Sequence, residues 1–237
     1  MRRAAGERLA ELGARWELAP EQLSSLAAIV ELMHADEHAP STVRADGQVI
    51  DVHIADSLSA LALEPVRAAS AVADLGSGAG FPGLVLAVAL PHASVALVES
   101  ASRKCEFLER AVAAAGVANA RVVCARAEDW REGLDSCDLA VARALAPLAV
   151  LCEYAAPLLR LGGALVAWKG EVAAEEEDSG RRAAELLGLQ GEGAVRGEPY
   201  AGSVAHHLHV FRKVAQTPAG YPRRAGVARK RPLGGGA

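Results

Sequence analysis

The pattern of apolar and polar positions changes about 65 residues into the chain. Before that point, apolar residues recur at intervals of three and four, which is typical of amphipathic helices. This periodicity predicts helices over residues 4–15, 20–35 and 49–63. We therefore expect residues 1–65 to form a helical extension whose apolar faces pack on the part of the chain that follows.

After the extension, short apolar runs alternate with segments of helical character. This alternation predicts an α/β domain, residues 66–214, with a mainly parallel sheet and helices on both faces. Ligands of such sheets bind at the carboxyl ends of the strands. A charged segment, 171–193, is also expected to be helical. The predicted strands are 71–74, 94–98, 121–124, 138–142, 164–168 and 206–213.

The first predicted strand leads into a glycine-rich turn, Asp-Leu-Gly-Ser-Gly-Ala-Gly-Phe-Pro-Gly, which begins at Asp74. Gly78, Gly80 and Gly83 match the dinucleotide pattern G-x-G-x-x-G. Asp74 with Gly76, Gly78 and Gly80 also matches the first motif of methyltransferases that use S-adenosyl-L-methionine (AdoMet). A carboxylate repels a pyrophosphate and attracts the ammonium group of AdoMet, so Asp74 favours AdoMet. An NAD-dependent oxidoreductase stays as the alternative.

Polar residues follow the next strands at positions where a nucleoside would lie. Glu99 ends the second strand, 23 residues after Gly76. A carboxylate there can accept hydrogen bonds from both ribose hydroxyls of NAD or AdoMet. Ala127 and Glu128 follow the third strand, where a backbone N–H and a nearby acceptor can read the edge of an adenine.

Two cationic residues end the fourth and fifth strands, Arg143 and Lys169. A guanidinium at the edge of the sheet could bind the carboxylate of a cofactor or a phosphate of RNA. The alternative role for Arg143 is a salt bridge to Glu99 or Glu128.

Two groups of residues that contain histidine are candidates for a site. His53, Asp56 and Ser57 lie within one helical turn, a spacing that cannot adopt catalytic-triad geometry without outside partners. A second group, His206 with its neighbours at 207 and 209, is interpreted as strand surface rather than as a metal site, because no acidic residue follows it.

Composition narrows the class of protein. The 237 residues are 51% apolar and 23% charged, as in ordinary globular proteins. No apolar run is long enough for a membrane helix, and the N-terminus lacks an apolar signal region, so a cytoplasmic location is expected. The four cysteines are widely spaced; we expect buried thiols, and no disulfide framework or zinc site.

Charge is distributed unevenly. From Pro199 to the end there are seven Arg and Lys residues and no Asp or Glu, although the whole chain carries a net charge of −4. Residues 215–237 are expected to form a basic, flexible tail that is extended or disordered. Such a tail binds a polyanion or serves solubility. Its candidate RNA contacts are Arg223, Arg224, Arg229, Lys230 and Arg231.

Several of these segments together resemble the RsmG (GidB) family. They are the glycine turn with its Gly-Phe-Pro-Gly ending, His-Ile-Ala-Asp-Ser-Leu, Ala-Arg-Ala, Ala-Trp-Lys-Gly and Tyr-Pro-Arg-Arg-Ala-Gly. Members of that family use AdoMet to methylate N7 of a guanine in 16S ribosomal RNA. The resemblance implies a class I methyltransferase (Rossmann-like) fold, AdoMet as cofactor, and the small ribosomal subunit as partner of a monomeric enzyme that needs no metal.

The resemblance also implies roles for individual residues. Arg143 and Lys169 would place the guanosine or its phosphate, with no general base. Two departures from the family pattern weaken the expectation for RNA: Pro40-Ser41-Thr42 replaces Asn-Leu-Thr, and Val52 replaces Arg. A non-catalytic RNA-binding protein is a further alternative. The implied AdoMet contacts are Gly76, Phe81, Ala127, Glu128 and Arg143, and His53, Asp56 and Ser57 would lie on the substrate side.

Overall fold

A seven-stranded sheet forms the centre of the protein, in a computed structural model that describes residues 3–203 and 206–235. The strand order is β3-β2-β1-β4-β5-β7-β6. Strands β1 to β5 pair in parallel, and β7 is antiparallel to both of its neighbours. The strands are β1 (Ala71–Leu75), β2 (Ser94–Glu99), β3 (Ala120–Cys124), β4 (Cys137–Arg143), β5 (Leu159–Lys169), β6 (Leu189–Gly197) and β7 (His206–Lys213).

Helices cover both faces of this sheet, as the alternating pattern predicts. The N-terminal helices, α6 and α7 pack on one face, while α8, α9 and α10 pack on the other. The helices are α1 (Arg3–Trp16), α2 (Pro20–Ala35), α3 (Asp46–Val49), α4 (Asp56–Leu58), α5 (Glu64–Arg67), α6 (Gly83–Ala89), α7 (Ser102–Ala115), α8 (Leu148–Ala155), α9 (Ala174–Leu186) and α10 (Val227–Lys230).

Side chains alternate between the two cores along each central strand. Val72 of β1 belongs to the core shared with the N-terminal helices, and its neighbour Ala73 belongs to the opposite core. Leu139 and Ala140 of β4 divide in the same way. This alternation follows from the two-residue period of a strand, and it explains why these strands are apolar throughout.

The N-terminal extension shares its core with the sheet. The third predicted helix is a continuous helical run from α3 through a π-helix, Ile50–Ala55, to α4 and a 3₁₀ turn, Ser59–Ala62. Ile50, Ile54 and Leu58 are fully buried in the same core as Val72. This helical run thus places its polar residues beside the sheet. The boundary at residue 65 between the extension and the α/β domain stays a prediction.

Two expectations about secondary structure are wrong. Segment 171–193 is not one helix: α9 ends at Leu186, and β6 begins at Leu189. All but the two end residues of β6 are exposed, so this edge strand lacks the apolar alternation that identifies a strand in sequence. The tail contains the helical turn α10 and packs on the fold, with Ala228 only 2% exposed.

The cysteine expectation is wrong for one pair. Cys105 in α7 and Cys124 at the end of β3 form a disulfide, whereas Cys137 and Cys152 are buried free thiols. The connection from α7 into β3 brings the first pair together across 19 residues. Among the helices of residues 3–203 and 206–235, none is long and apolar enough to cross a membrane.

The parallel strands place their carboxyl ends along one edge of the sheet. Because β7 runs the opposite way, its first residues lie at that same edge, where His207 pairs with Lys169 at the end of β5. This edge therefore collects residues from the ends of β1 to β5 and from the start of β7.

Replacement of Gly83 by alanine should destabilise the fold. A Cβ at Gly83 would lie 2.6 Å from both Asp74 Cβ and Leu97 Cδ2, and no displacement of a flexible side-chain end relieves both contacts. We expect Gly83→Ala to lower the free energy of unfolding by about 1–3 kcal/mol, measured by urea denaturation.

Gly47→Ala is the matched control, because Gly47 lies in helix α3 and a Cβ there meets nothing within 4 Å. This variant should be neutral or stabilised by up to about 1 kcal/mol. Equal unfolding free energies for the two variants would contradict the packing argument.

Candidate active site

The glycine turn between β1 and α6 is held against β2 by its backbone. The N–H groups of Gly76 and Ser77 both donate to Val98 O, at 2.8 and 3.1 Å. Gly76, Gly78 and Gly80 have φ values of +69°, +57° and +97°, which side chains rarely tolerate. The turn consequently needs glycine at these positions, as the sequence predicted.

Asp74 lies beneath this turn and not on its surface. It is fully buried, and its Oδ2 accepts a hydrogen bond from the Gly83 N–H at 3.0 Å, at the beginning of α6. Burial raises the pKa of Asp74 to about 6. Oδ1 has no hydrogen-bond partner among the described residues. The carboxylate thus fixes the turn through Oδ2, while Oδ1 is unpartnered and shielded from solvent, and the contact of Asp74 with AdoMet stays a prediction.

Glu99 links the end of β2 to the glycine turn. Its Oε2 accepts from Gly78 N–H at 3.2 Å, and its Oε1 accepts from the N–H groups of Ser100 and Ala101 at 2.8 and 2.9 Å. The side chain is 6% exposed, and Lys104 Nζ lies 4.0 Å away. A carboxylate offers about four acceptor positions and three are used here, so Oε2 keeps capacity for one ribose hydroxyl.

A cleft of about 490 Å³ opens at the ends of β1, β2 and β3. It brings together Gly76, Glu99, Ala127 and Glu128, four of the predicted AdoMet contacts. A Cβ on Gly78 would meet only Gly76 O, at 3.7 Å, so the turn leaves open space for a ligand. With the orphaned Asp74 oxygen nearby, these residues fit an AdoMet molecule bound through its adenosine half.

Among the residues that line this cleft without a predicted cofactor role, two have side chains suited to contact a nucleoside. Tyr154 of α8 and Arg229 of α10 both line it. Tyr154 gives no sequence signal because it lies in an apolar helix. Arg229 has one, its basic segment, but that signal was interpreted as RNA binding.

A larger cleft, of about 810 Å³, lies between α9 and the β6–β7 hairpin. None of the predicted site residues, all of which the structure describes, lines it. Its volume alone therefore does not identify it as the site of chemistry.

Arg143, at the end of β4, is bound to the N-terminal helices. Its guanidinium donates to Asp56 Oδ2 and Val52 O, each at 2.8 Å, and to His53 Nδ1 at 2.8 Å. The side chains of Arg143 and Asp56 are 16% and 4% exposed. The expected salt bridge of Arg143 thus exists, but its partner is Asp56 instead of Glu99 or Glu128.

His53 has a defined tautomer in this arrangement. Guanidinium nitrogens only donate, so His53 Nδ1 is an acceptor and the ring proton resides on Nε2, which donates to Ser41 Oγ at 3.0 Å. The ring stacks on Phe81 with centroids 4.5 Å apart. Burial, followed by the charge of Arg143, lowers the pKa of His53 to about 4. His53 is consequently neutral at pH 7.

Asp56 has a second side-chain partner that the sequence did not reveal. His206 Nδ1, at the start of β7, donates to Asp56 Oδ1 at 2.9 Å. Trp168 Nε1 donates to the backbone carbonyl of Asp56 at 3.1 Å. The interpretation of His206 as plain strand surface is therefore wrong. We call Arg143, Asp56, His53 and His206 the edge cluster.

Three other predicted residues are engaged in structural contacts. Ser57 is fully buried and donates to His53 O at 2.6 Å, which leaves no surface for RNA. Phe81 is 5% exposed, its ring lies against both His53 and Arg143, and it does not line the cleft. Lys169 Nζ pairs with Glu176 at 2.6 Å and contacts Ala146 O at 3.3 Å.

Among the tail cations, Arg223 and Arg229 contact other parts of the fold, although Arg229 is exposed. Arg223 pairs with Glu153, which is 1% exposed, so Arg223 is not a free RNA contact. Arg229 donates to Leu145 O at 2.9 Å. The other three predicted RNA contacts of the tail, Arg224, Lys230 and Arg231, are exposed.

The sequence model of one family, GidB, described as rRNA small subunit methyltransferase G, matches residues 21–196. The chain belongs to this family. Membership confirms the predicted class of enzyme, an rRNA methyltransferase, with AdoMet as its cofactor. It does not support the oxidoreductase or the non-catalytic RNA-binding protein.

Curated relatives of the methyltransferase cover most of its length. A ribosomal RNA small subunit methyltransferase G of Rubrobacter xylanophilus is 46% identical over 190 residues, 78% of this chain and 73% of the relative. One from Moorella thermoacetica is 36% identical over 221 residues, 91% of this chain and 92% of the relative.

A solved structure supports the fold. The fibrillarin of Aeropyrum pernix, in complex with natively bound S-adenosyl-L-methionine, superposes with a TM-score of 0.52 at 21% identity, over 66% of this chain and 72% of that one. The class I methyltransferase fold predicted for the chain is thereby confirmed. Within residues 3–203 and 206–235 of the methyltransferase, no group of three or more His, Cys, Asp and Glu side chains is placed to hold a metal ion.

Glu99→Gln should weaken AdoMet binding by the methyltransferase. An amide has one acceptor oxygen, so it cannot accept from Gly78, Ser100 and Ala101 and also bind a ribose hydroxyl. We expect the Kd to rise about tenfold in calorimetry. Glu109→Gln, the same change on the exposed face of α7, is the control. Equal affinities of both variants would exclude Glu99 from the binding site.

His53 should make the methyltransferase less stable in acid. Unfolded His53 binds a proton below its ordinary pKa of 6.5, but folded His53 does so only near pH 4. The stability that neutral His53 contributes is therefore complete above pH 6.5. As the pH falls toward 4, this contribution to the free energy of unfolding decreases by roughly 2–3 kcal/mol. Asp74, whose pKa is raised to about 6, works in the opposite direction over the same range.

Comparing the wild type with His53→Gln separates the effect of His53 on the pH dependence of stability from that of Asp74, since both proteins contain Asp74. The free energy of unfolding, measured by urea denaturation between pH 4.5 and 7.5, should fall less in the variant than in the wild type. Parallel pH profiles would show that His53 titrates normally.

Proposed function

We propose that the protein transfers the methyl group of AdoMet to N7 of a guanine in the 16S rRNA of the small ribosomal subunit. The observation that carries this proposal is the juxtaposition, in a chain of the rRNA small subunit methyltransferase G family, of the nucleoside-sized cleft and the edge cluster. Both lie at the carboxyl edge of the sheet, where ligands of parallel sheets bind.

The cleft supports the cofactor half of the proposal. Glu99 would accept a hydrogen bond from a ribose hydroxyl, and Ala127 and Glu128 would contact the adenine, because they follow the next strand in the sheet order. Bound AdoMet supplies an electrophilic methyl group on a sulfonium sulfur. The orphaned Oδ1 of Asp74 would take the ammonium group of the methionine part.

The edge cluster supports the acceptor half. Guanine N7 has an in-plane lone pair and no proton, so transfer to it requires alignment without deprotonation. Both ring nitrogens of His53 are engaged, and Asp56 is ion-paired. These groups are therefore suited to hold the site in shape, and not to remove a proton.

The RNA would approach along the ends of β4 and β5. The side chains of Arg143 and Lys169 are 16% and 18% exposed there, so each presents a small part of a cation to solvent. We propose that they place the target guanosine or its phosphate, in a monomeric enzyme that acts in the cytoplasm on the small subunit or its RNA.

The proposal is tested by incubating the protein with methyl-labelled AdoMet and one of four acceptors. These are small-subunit RNA, intact small subunits, large-subunit RNA and tRNA. Label should enter only the small-subunit samples, and digestion should release it as 7-methylguanine.

Controls distinguish a defect in cofactor binding from an error in the proposed acceptor. Glu99→Gln should reduce labelling at limiting AdoMet, whereas Glu109→Gln should not. Label in another base, or in large-subunit RNA or tRNA, would contradict the proposed acceptor. If the protein bound AdoMet but transferred no methyl group to any acceptor, the cofactor site would stand and 16S rRNA would be excluded as the substrate.

A further inference from the structure

The C-terminal segment 221–235 is anchored on the fold by a buried ion pair. Arg223 Nε donates to Glu153 Oε1 at 2.6 Å, and its Nη2 contacts Glu153 Oε2. Glu153, in α8, is 1% exposed. Arg223 Nη2 also donates to Arg231 O at 2.9 Å, which ties the two ends of the segment together. A carboxylate this deeply buried needs its cation, so the segment is part of the fold.

The anchored segment reaches the adenine end of the cleft. The Gly226 N–H donates to Glu128 Oε1 at 2.9 Å. Three residues later, Arg229 Nη2 donates to Leu145 O at 2.9 Å. Arg229 and Leu145 both line the cleft that contains Glu99 and Glu128. The C-terminal segment consequently contributes Arg229 to the lining of this cleft.

We propose that Arg229 is a cofactor-binding residue that contacts the adenosine moiety of AdoMet. This inference builds on the proposed function and adds a contact from outside the βα repeats. A guanidinium is planar and delocalised, so it stacks on a purine ring or donates to its ring nitrogens. Tyr154, whose side chain interacts with that of Arg229, lines the same cleft, as do Glu99 and Glu128.

The neighbours of Arg229 support a division within one helical turn. Arg229, Lys230 and Arg231 are all exposed, but of the three only Arg229 donates to Leu145 O and lines the cleft. The basic side chains of the segment therefore belong to two different surfaces. Arg229 belongs to the cofactor side, and its role differs from the RNA contact that the sequence predicted.

The test compares Arg229→Ala with Lys230→Ala, the same loss of charge at the adjacent position of α10. Binding of S-adenosylhomocysteine and of 5′-methylthioadenosine, which lacks the amino-acid part, is measured by calorimetry on the full chain. For Arg229→Ala we expect both Kd values to rise about tenfold. Lys230→Ala should stay within about twofold of the wild type for both ligands.

Thermal unfolding of each variant checks that the segment remains folded. Should Arg229→Ala melt earlier, Arg229→Gln, which can still donate to Leu145 O, replaces it with the same expectation. Wild-type affinity in the folded variant for either ligand would overturn the proposal. So would a loss limited to S-adenosylhomocysteine, because the contact would then lie at the amino-acid end. Failure of the wild type to bind either ligand would overturn the cofactor assignment itself.

Discussion

The ion pair between Arg143 and Asp56 connects the N-terminal helices to the catalytic edge of the sheet. Both side chains are largely buried, and removing one partner of such a pair typically costs about 3–5 kcal/mol. Asp56 also accepts from His206, so a single carboxylate joins the π-helical run, the end of β4 and the start of β7. The position of His53, which stacks on Phe81 of the glycine turn, depends on the same arrangement.

A second carboxylate organises the other end of the edge. Glu99 collects backbone N–H groups from the glycine turn and from the residues that lead into α7. These donors would otherwise be unsatisfied at a helix start. The cofactor end is thus fixed by backbone contacts, whereas the acceptor end is fixed by contacts between side chains.

The sequence predicted the features that are encoded locally. The positive φ values of Gly76, Gly78 and Gly80 require glycine, and the apolar runs of β1, β2, β4 and β5 correspond to buried strands. Contacts between distant residues were beyond reach: Asp56 meets Arg143 across 87 positions and His206 across 150. No local pattern encodes such pairs.

Other errors have equally physical causes. An exposed edge strand such as β6 has no buried face, so it leaves no alternation in the sequence. The tail was expected to be flexible because of its Pro, Gly and Arg content, but the pairing of Arg223 with the buried Glu153 and the burial of Ala228 outweigh composition. Arg229, which is exposed like Lys230 and Arg231, was grouped with them as an RNA contact because of the basic composition.

The antiparallel direction of β7 has a consequence for how this fold can diversify. A sixth parallel strand would have started at the opposite edge, but β7 starts beside the ends of β4 and β5. The described part of the connection that precedes β7, residues 198–203, borders the acceptor side, where Tyr200 contacts His206, four strands away from β2 and Glu99. Insertions in that connection can remodel which acceptor is admitted while the nucleoside end remains intact. The specificity for the acceptor can therefore change in evolution without a change in the specificity for the cofactor.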